Sequence, residues 1–176
     1  MNLYLRLLAV LTGAFFGRRL GPMEESVLHF RVWPTDLDLN GHMNNGRYLT
    51  LMDLGRVDLM IRTGLGRVAF KRRWTPLVGS AVIRFRQSLD PFQRYQVKSR
   101  ILCWDDKWFF IEQRFTRPGG LIAVGLVKGL LRGRHGNIPT AEVLRAVGVE
   151  AVSPEMPEAV RLWRASERSA GDATKH

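Results

Sequence analysis

Asp36-Leu37-Asp38-Leu39-Asn40-Gly41-His42-Met43-Asn44-Asn45-Gly46-Arg47-Tyr48 is the stretch on which the reading of this chain turns. Before it, residues 25–33 alternate with a period of two. Val27, His29 and Arg31 share one face and Leu28, Phe30 and Val32 the other, so a strand is expected, ended by Pro34. After it, Tyr48, Leu51, Met52, Gly55 and Leu59 recur at three- and four-residue spacing, and Leu54, Val57 and Ile61 widen the apolar band. That pattern predicts a buried helix from about Asn45 to Thr63, capped by Asn44 or Asn45, stopped by Gly64 and braced by the pair Asp58 and Arg62. The quoted stretch is therefore a strand-to-helix corner. Two carboxylates, three amides and an imidazole sit among turn-forming residues at the edge of a rigid frame.

Beyond the helix, a basic connection holding Lys71, Arg72, Arg73 and Trp74 leads into strand patterns with few breaks. Ile83 and Phe85 alternate with Arg84 and Arg86. Tyr95, Val97, Ser99, Ile101 and Cys103 alternate with Arg94, Gln96, Lys98 and Arg100. Phe109, Ile111 and Phe115 follow a turn at Asp105-Asp106, and Leu121 to Leu131 follows a second turn at Pro118-Gly119-Gly120. Strand, long helix, then an antiparallel meander is an α+β plan in which a curved sheet covers one helix. A short helix is expected over Pro139 to Val147 and an amphipathic one over Glu158 to Arg168, with Ser169 to His176 fraying. The resulting division is an apolar segment at 1–22, a main domain at 23–136 and a helical extension at 137–176. Leu3 to Phe16 is apolar but interrupted by Arg6, and it falls short of the roughly 20 residues that span a bilayer. It reads as a helix docked on its own domain or dimer, as a membrane-surface anchor, or as a targeting segment, in that order.

The chain has 176 residues with 45% hydrophobic content, enough for one domain with a substantial core. Its formal charge of +11 implies an anionic partner or surface. The cations are spread along the chain without a basic arm or a nucleic-acid-binding motif, so nucleic acid is not expected as a partner. The single cysteine, Cys103, lies in a strand pattern; it excludes an internal disulfide framework and fits a core thiol in a reducing, cytoplasmic setting. A Walker loop, a dinucleotide-binding glycine fingerprint, a Gly-x-Ser-x-Gly elbow and a His-Glu-x-x-His pair are all missing, and no metal or organic cofactor is expected.

What remains is the corner itself. Asp38, Asn40 and His42 alternate along a loop that runs into a helix start, where free N–H groups can hold a developing oxyanion. A carboxylate facing such a site suits attack on a carbonyl, directly or through a water. The same residues also serve as ordinary turn formers and caps, with His42 an incidental loop side chain, and spacing does not separate these readings.

Residues 31–56 resemble, without a gap, the strand-loop-helix passage of the 4-hydroxybenzoyl-CoA thioesterase-like group of hotdog-fold enzymes, with Asp38 at the position of its catalytic aspartate. The quoted run is similar to that of the plant acyl-ACP thioesterases, whose catalytic Asp, Asn and His correspond to Asp38, Asn40 and His42. The animal thioesterase superfamily member 6 group is more similar still. It shares the Asp-Leu-Asp-Leu run, His-Met-Asn-Asn before Arg-Tyr-Leu, the Trp104-Asp105-Asp106 turn and a Pro-Glu-x-Pro tail like Pro154 to Pro157.

The resemblance implies a hotdog fold, a homodimer or dimer of dimers, and hydrolysis of an acyl-CoA or acyl-carrier-protein thioester to acid and thiol. Fatty acyl-CoA is the expected substrate. Asp38 would act as nucleophile or general base, Asn40 and His42 would orient it or polarise the substrate, and the backbone N–H of Asn45, with Gly46, would face the thioester oxygen. Tyr48, Arg84, Arg86 and Lys107 would contact the substrate. In one respect the chain departs from the hydroxybenzoyl-CoA enzyme: Asp105-Asp106 stands where that enzyme has the Arg-Arg pair that grips nucleotide phosphates, and only Lys107 keeps the charge. The rival readings are a hotdog hydratase and a non-catalytic acyl-binding protein, the latter membrane-associated through residues 3–16.

Overall fold

The computed structural model describes residues 3–173. The chain opens with α1 (Leu3–Phe16), then β1 (Ser26–Arg31), a single 3-10 turn at Pro34–Asp36, and α2 (Asn45–Arg62). A short α3 (Leu65–Arg72) precedes the strands β2 (Thr75–Phe85), β3 (Arg94–Trp104), β4 (Phe109–Arg117), β5 (Gly120–Gly133) and β6 (Gly136–Ile138). The helices α4 (Thr140–Ala146) and α5 (Glu158–Ala173) complete it. The strands pair antiparallel in the order β1-β3-β4-β5-β2, with β6 on β5.

The sheet wraps α2 because each contributes one apolar face. Tyr48, Leu51, Met52 and Leu54 of the helix meet Val97, Phe115, Ile122 and Val127 of the strands in the main core. Gly55 permits the close approach: a Cβ there would lie 2.5 Å from Ser99 Oγ and 2.8 Å from Gln113 Nε2. At that crossing the buried Gln113 amide donates to the Met52 carbonyl and to Ser99 Oγ, both at 2.8 Å, so the polar group is satisfied where helix and sheet touch. The expected brace is present, with Arg62 3.4 Å from a buried Asp58 that also accepts from the Ser26 hydroxyl. On the face of the sheet opposite α2, Val160 and Trp163 of α5 pack over Cys103 and Phe110.

The apolar N-terminal segment is a docked helix. α1 lies alongside α2 from end to end: Arg6 is buried against Asp36 ahead of α2, and Arg62 Nε at its far end donates to the Arg18 carbonyl at 2.9 Å. Leu3, Leu7 and Val10 face the core, whereas Tyr4, Leu5, Leu8, Phe15 and Phe16 face outward. Among the described residues no helix is long and apolar enough to cross a membrane. Several features depart from the sequence expectation: β2 pairs with β5 and not with its successor β3, so the strands after α2 are not a simple meander, and β6 adds a strand at Gly136–Ile138. Part of the basic connection is helical as α3; β2 begins at Thr75, ahead of the alternation at Ile83 to Phe85; and α5 continues to Ala173, with 174–176 of the expected frayed tail outside the described residues. β2 is a sheet edge with Leu77 39%, Val78 52%, Val82 44% and Phe85 40% exposed. Both its apolar side chains and its outer backbone edge are open.

Candidate active site

Asp36 anchors the corner and Asp38 is presented by it. The Asp36 side chain is 2% exposed; it pairs with Arg6 and accepts the Trp33 N–H at 2.9 Å, while Arg47 stands 3.7 Å away. Its carbonyl accepts the Asn44 N–H at 2.8 Å, which ties the start of α2 to the end of the turn. Between these anchors the loop folds back on itself. An isolated bridge joins Leu37 and Met43, Asp38 N–H donates to the His42 carbonyl at 2.9 Å, and Gly41 takes the positive φ of 74° that the reversal demands.

Asp38 is half-buried, and its Oδ1 accepts the Asn40 N–H at 2.8 Å, so the residue forms an Asx turn as well as carrying a carboxylate. The Asn40 and His42 side chains are exposed and make no hydrogen bond to that carboxylate among the described residues. His42 instead faces Asp90 at 3.5 Å, across the 86–93 loop that also accepts the Met43 N–H through Leu89. The three residues share one loop, but the chain does not assemble them into a hydrogen-bonded triad.

At the helix start the two expected donors differ. Asn44 is the N-cap, and its Oδ1 accepts the Gly46 N–H at 2.8 Å, which removes Gly46 from the donors open to a substrate oxygen. Asn45 is the first helical residue, and its N–H has no acceptor among the described residues. A free N–H at a positive helix end can hold a developing oxyanion, and Asp38 belongs to the loop that leads into this helix.

The expected substrate contacts fall in three places. Tyr48 is 2% exposed and packs on Phe85 at 5.0 Å and Phe115 at 4.8 Å, so in this chain it is a core residue and not a wall of an open site. Its position on the helix face toward the sheet explains this, and burial pushes its hydroxyl up to about 12. Arg84 and Arg86 are exposed at the end of β2 that lies near the start of α2, flanking Phe85, which packs on Tyr48. Lys107 is in the β3–β4 turn, at the opposite end of an 11-residue strand from Arg94, roughly 35 Å along the sheet. In its own chain it lies far from the corner. The neighbouring Asp105 is a turn residue, accepting the Lys107 and Trp108 N–H groups at 2.9 and 2.7 Å and pairing with Arg164 at 3.1 Å.

An apolar cavity of about 390 Å³ lies against the second half of α2. Val57 and Met60 of α2, Leu77 and Val78 of β2, Ile111 of β4 and Leu144 of α4 help to line it. Nothing in the sequence pattern predicted it, because its wall combines residues from seven separate elements, α2, α3, α4 and β2 to β5. Cys103 takes no part in the site: it is buried, and desolvation, with Asp105 nearby, pushes its thiol up. Among the described residues no cluster of His, Cys, Asp and Glu could hold a metal ion.

Comparison with known proteins bears on this geometry. Protein THEM6 of Xenopus laevis is 36% identical over 135 residues, covering 75% of this chain and 63% of its own length. Protein THEM6 of Danio rerio is 33% identical over 150 residues, covering 84% and 74%. This chain thus spans less than two thirds of the Xenopus relative. Among solved structures, that of BH1999 gentisyl-coenzyme A thioesterase superposes with a TM-score of 0.59 at 24% identity, covering 69% of this chain and 98% of that one. The fold is that of the hotdog thioesterases. The family model described as the thioesterase-like superfamily matches residues 32–163, from the end of β1 through the corner and the whole sheet into α5, and the chain belongs to that superfamily.

Proposed function

We propose that the chain hydrolyses acyl-CoA thioesters, with Asp38 as the reacting carboxylate and the Asn45 N–H as the oxyanion donor. The observation that carries this reading is the free Asn45 N–H at the head of α2, in the same closed corner as Asp38. Membership of the thioesterase-like superfamily supports it, as does the name of the gentisyl-coenzyme A thioesterase that shares the fold. Asp38 either attacks the thioester carbon itself or takes a proton from a water that does. The carbonyl oxygen gains charge and accepts the Asn45 N–H; collapse then expels the thiolate. On the general-base route the acid is already formed and the proton taken by Asp38 passes to the thiolate; on the nucleophilic route a water cleaves the acyl–Asp38 anhydride, which releases the acid, regenerates the carboxylate and supplies the thiol's proton. Asn40 and His42 lie on the exposed rim of the loop, where they can orient the leaving group.

The acyl pocket needs a second copy. The cavity opens at the start of β2, whereas the corner of the same chain lies toward the end of that strand. Antiparallel pairing of two β2 edges sets the Pro76–Val78 end of one copy opposite the Arg84–Arg86 end of the other. That arrangement covers Leu77, Val78, Val82 and Phe85 and brings each cavity, with its Lys107, toward the partner's Asp38. The outward face of α1, with Tyr4, Leu5, Leu8, Phe15 and Phe16 beside Arg18 and Arg19, fits contact with an anionic membrane surface, where acyl-CoA substrates partition.

The test is thiol release from a panel of acyl-CoA esters of increasing chain length. Turnover on one or more members is expected, with preference set by the 390 Å³ cavity. Binding without turnover across the whole panel would leave an acyl-binding protein instead.

A further inference from the structure

The end of the sheet from which the corner departs carries a second cleft, of about 830 Å³, on the strands β1, β3 and β4. Arg31, Arg94, Lys98 and Arg117 line it, together with His29 and Trp33. Strand register sets Arg31 directly opposite Arg94, a like-charge pair that opposes folding. On the same strands the other cations are paired: Arg100 with Glu112 at 2.8 Å, and Arg114 with Glu25. The four cleft cations have no carboxylate within 4.0 Å among the described residues, and Arg117 has one Gln87 contact at 3.2 Å and a buried Nε without an acceptor. The chain therefore gathers positive charge here and leaves it uncompensated.

Aromatic groups stand beside it. Phe92 is 53% exposed and holds φ of 62°, a conformation that bulky residues rarely adopt. Its ring meets Trp33 edge-on, with centroids 6.4 Å apart. A strained, outward-facing Phe against a Trp that lines a cationic cleft is the arrangement expected around a ligand with phosphates and a flat base. Trp33 also precedes Asp38 by five residues, so the two Cα atoms are at most about 18 Å apart, within the span of an extended pantetheine arm.

We propose that this cleft holds the phosphates of the CoA nucleotide, with the adenine against Trp33 and Phe92. The proposal rests on the thioesterase reading above and assigns the grip that the Asp105-Asp106 turn does not supply. Arg94 and Lys98 face the diphosphate and 3′-phosphate together with Arg31, and Arg117 closes the far side.

Equilibrium binding of 3′-phosphoadenosine 5′-diphosphate tests it without reference to turnover. The R94Q/K98Q variant is expected to bind this nucleotide at least tenfold more weakly than wild type, with unchanged or higher thermal stability because repulsion is relieved. Its kcat/KM for an acyl-N-acetylcysteamine thioester, which has no nucleotide, stays at the wild-type value, while KM for acyl-CoA rises at least tenfold. Phe92→Gly removes the backbone strain and lowers nucleotide affinity together. Wild-type affinity in R94Q/K98Q overturns the proposal, as does a variant that loses turnover only on acyl-carrier protein. If wild type binds the nucleotide in an Arg94-dependent way but hydrolyses no thioester, the cleft assignment stands and the hydrolase reading falls.

Discussion

Asp36 and Asp38 are one residue apart and have opposite fates: the first is buried against Arg6, and the second reaches the edge of the loop half-buried. Sequence pattern assigned these roles only through family resemblance, because both are turn-compatible carboxylates. The two donors at the helix head were likewise inseparable until the cap was seen: Asn44 takes the Gly46 N–H and leaves that of Asn45. Asn44→Ala should cost about 1 kcal/mol of stability by thermal or denaturant unfolding, the usual loss for an N-cap. It should also lower turnover several-fold by loosening the head of α2. A different residue effect is expected at Tyr95, whose hydroxyl is buried without a partner among the described residues. Tyr95→Phe should fold with equal or greater stability, by as much as about 1 kcal/mol, since it removes an unsatisfied polar atom.

At the scale of elements, the central helix was legible almost residue for residue, Asn45 to Thr63 expected against Asn45–Arg62 found, because its apolar spacing is regular and both ends carry stop signals. α3 was not, because it is only eight residues long, half of them exposed and three of them basic, too short to display a long apolar stripe. α1 was left with three readings since its apolar residues point both inward and outward; what fixes it is Arg6, a cation in an apolar run that finds a carboxylate 30 residues away. Arg6→Ala should destabilise the protein by about 3–5 kcal/mol in denaturant titrations, because Asp36 is then buried with only the more distant Arg47 nearby. The α2–sheet interface also sets a pH limit. Tyr48, pushed up to about 12, stays protonated in the folded state over a range where the unfolded chain, titrating near 10, has released its proton. The unfolded state then binds fewer protons, so stability falls as pH rises above about 10 and is unaffected by this group below it. Unfolding curves between pH 7 and 11 should show that decline, and Tyr48→Phe should soften it.

On the scale of the whole molecule, the α+β plan of a helix wrapped by a sheet was readable because both periodicities are clean, whereas strand order and the cavity depend on long-range pairing that no local pattern encodes. The exposed apolar edge of β2 supports the proposed pairing of two copies. Val82→Lys on that edge should convert a dimer to a monomer in analytical ultracentrifugation and abolish hydrolysis with the monomer still folded. The central claim is that a single carboxylate in the corner performs the chemistry, and Asp38→Asn, nearly identical in shape, isolates it. Thiol release from the preferred acyl-CoA should fall at least a thousandfold in Asp38→Asn, while melting temperature and acyl-CoA affinity stay at wild-type values. Undiminished release by that variant would contradict the account.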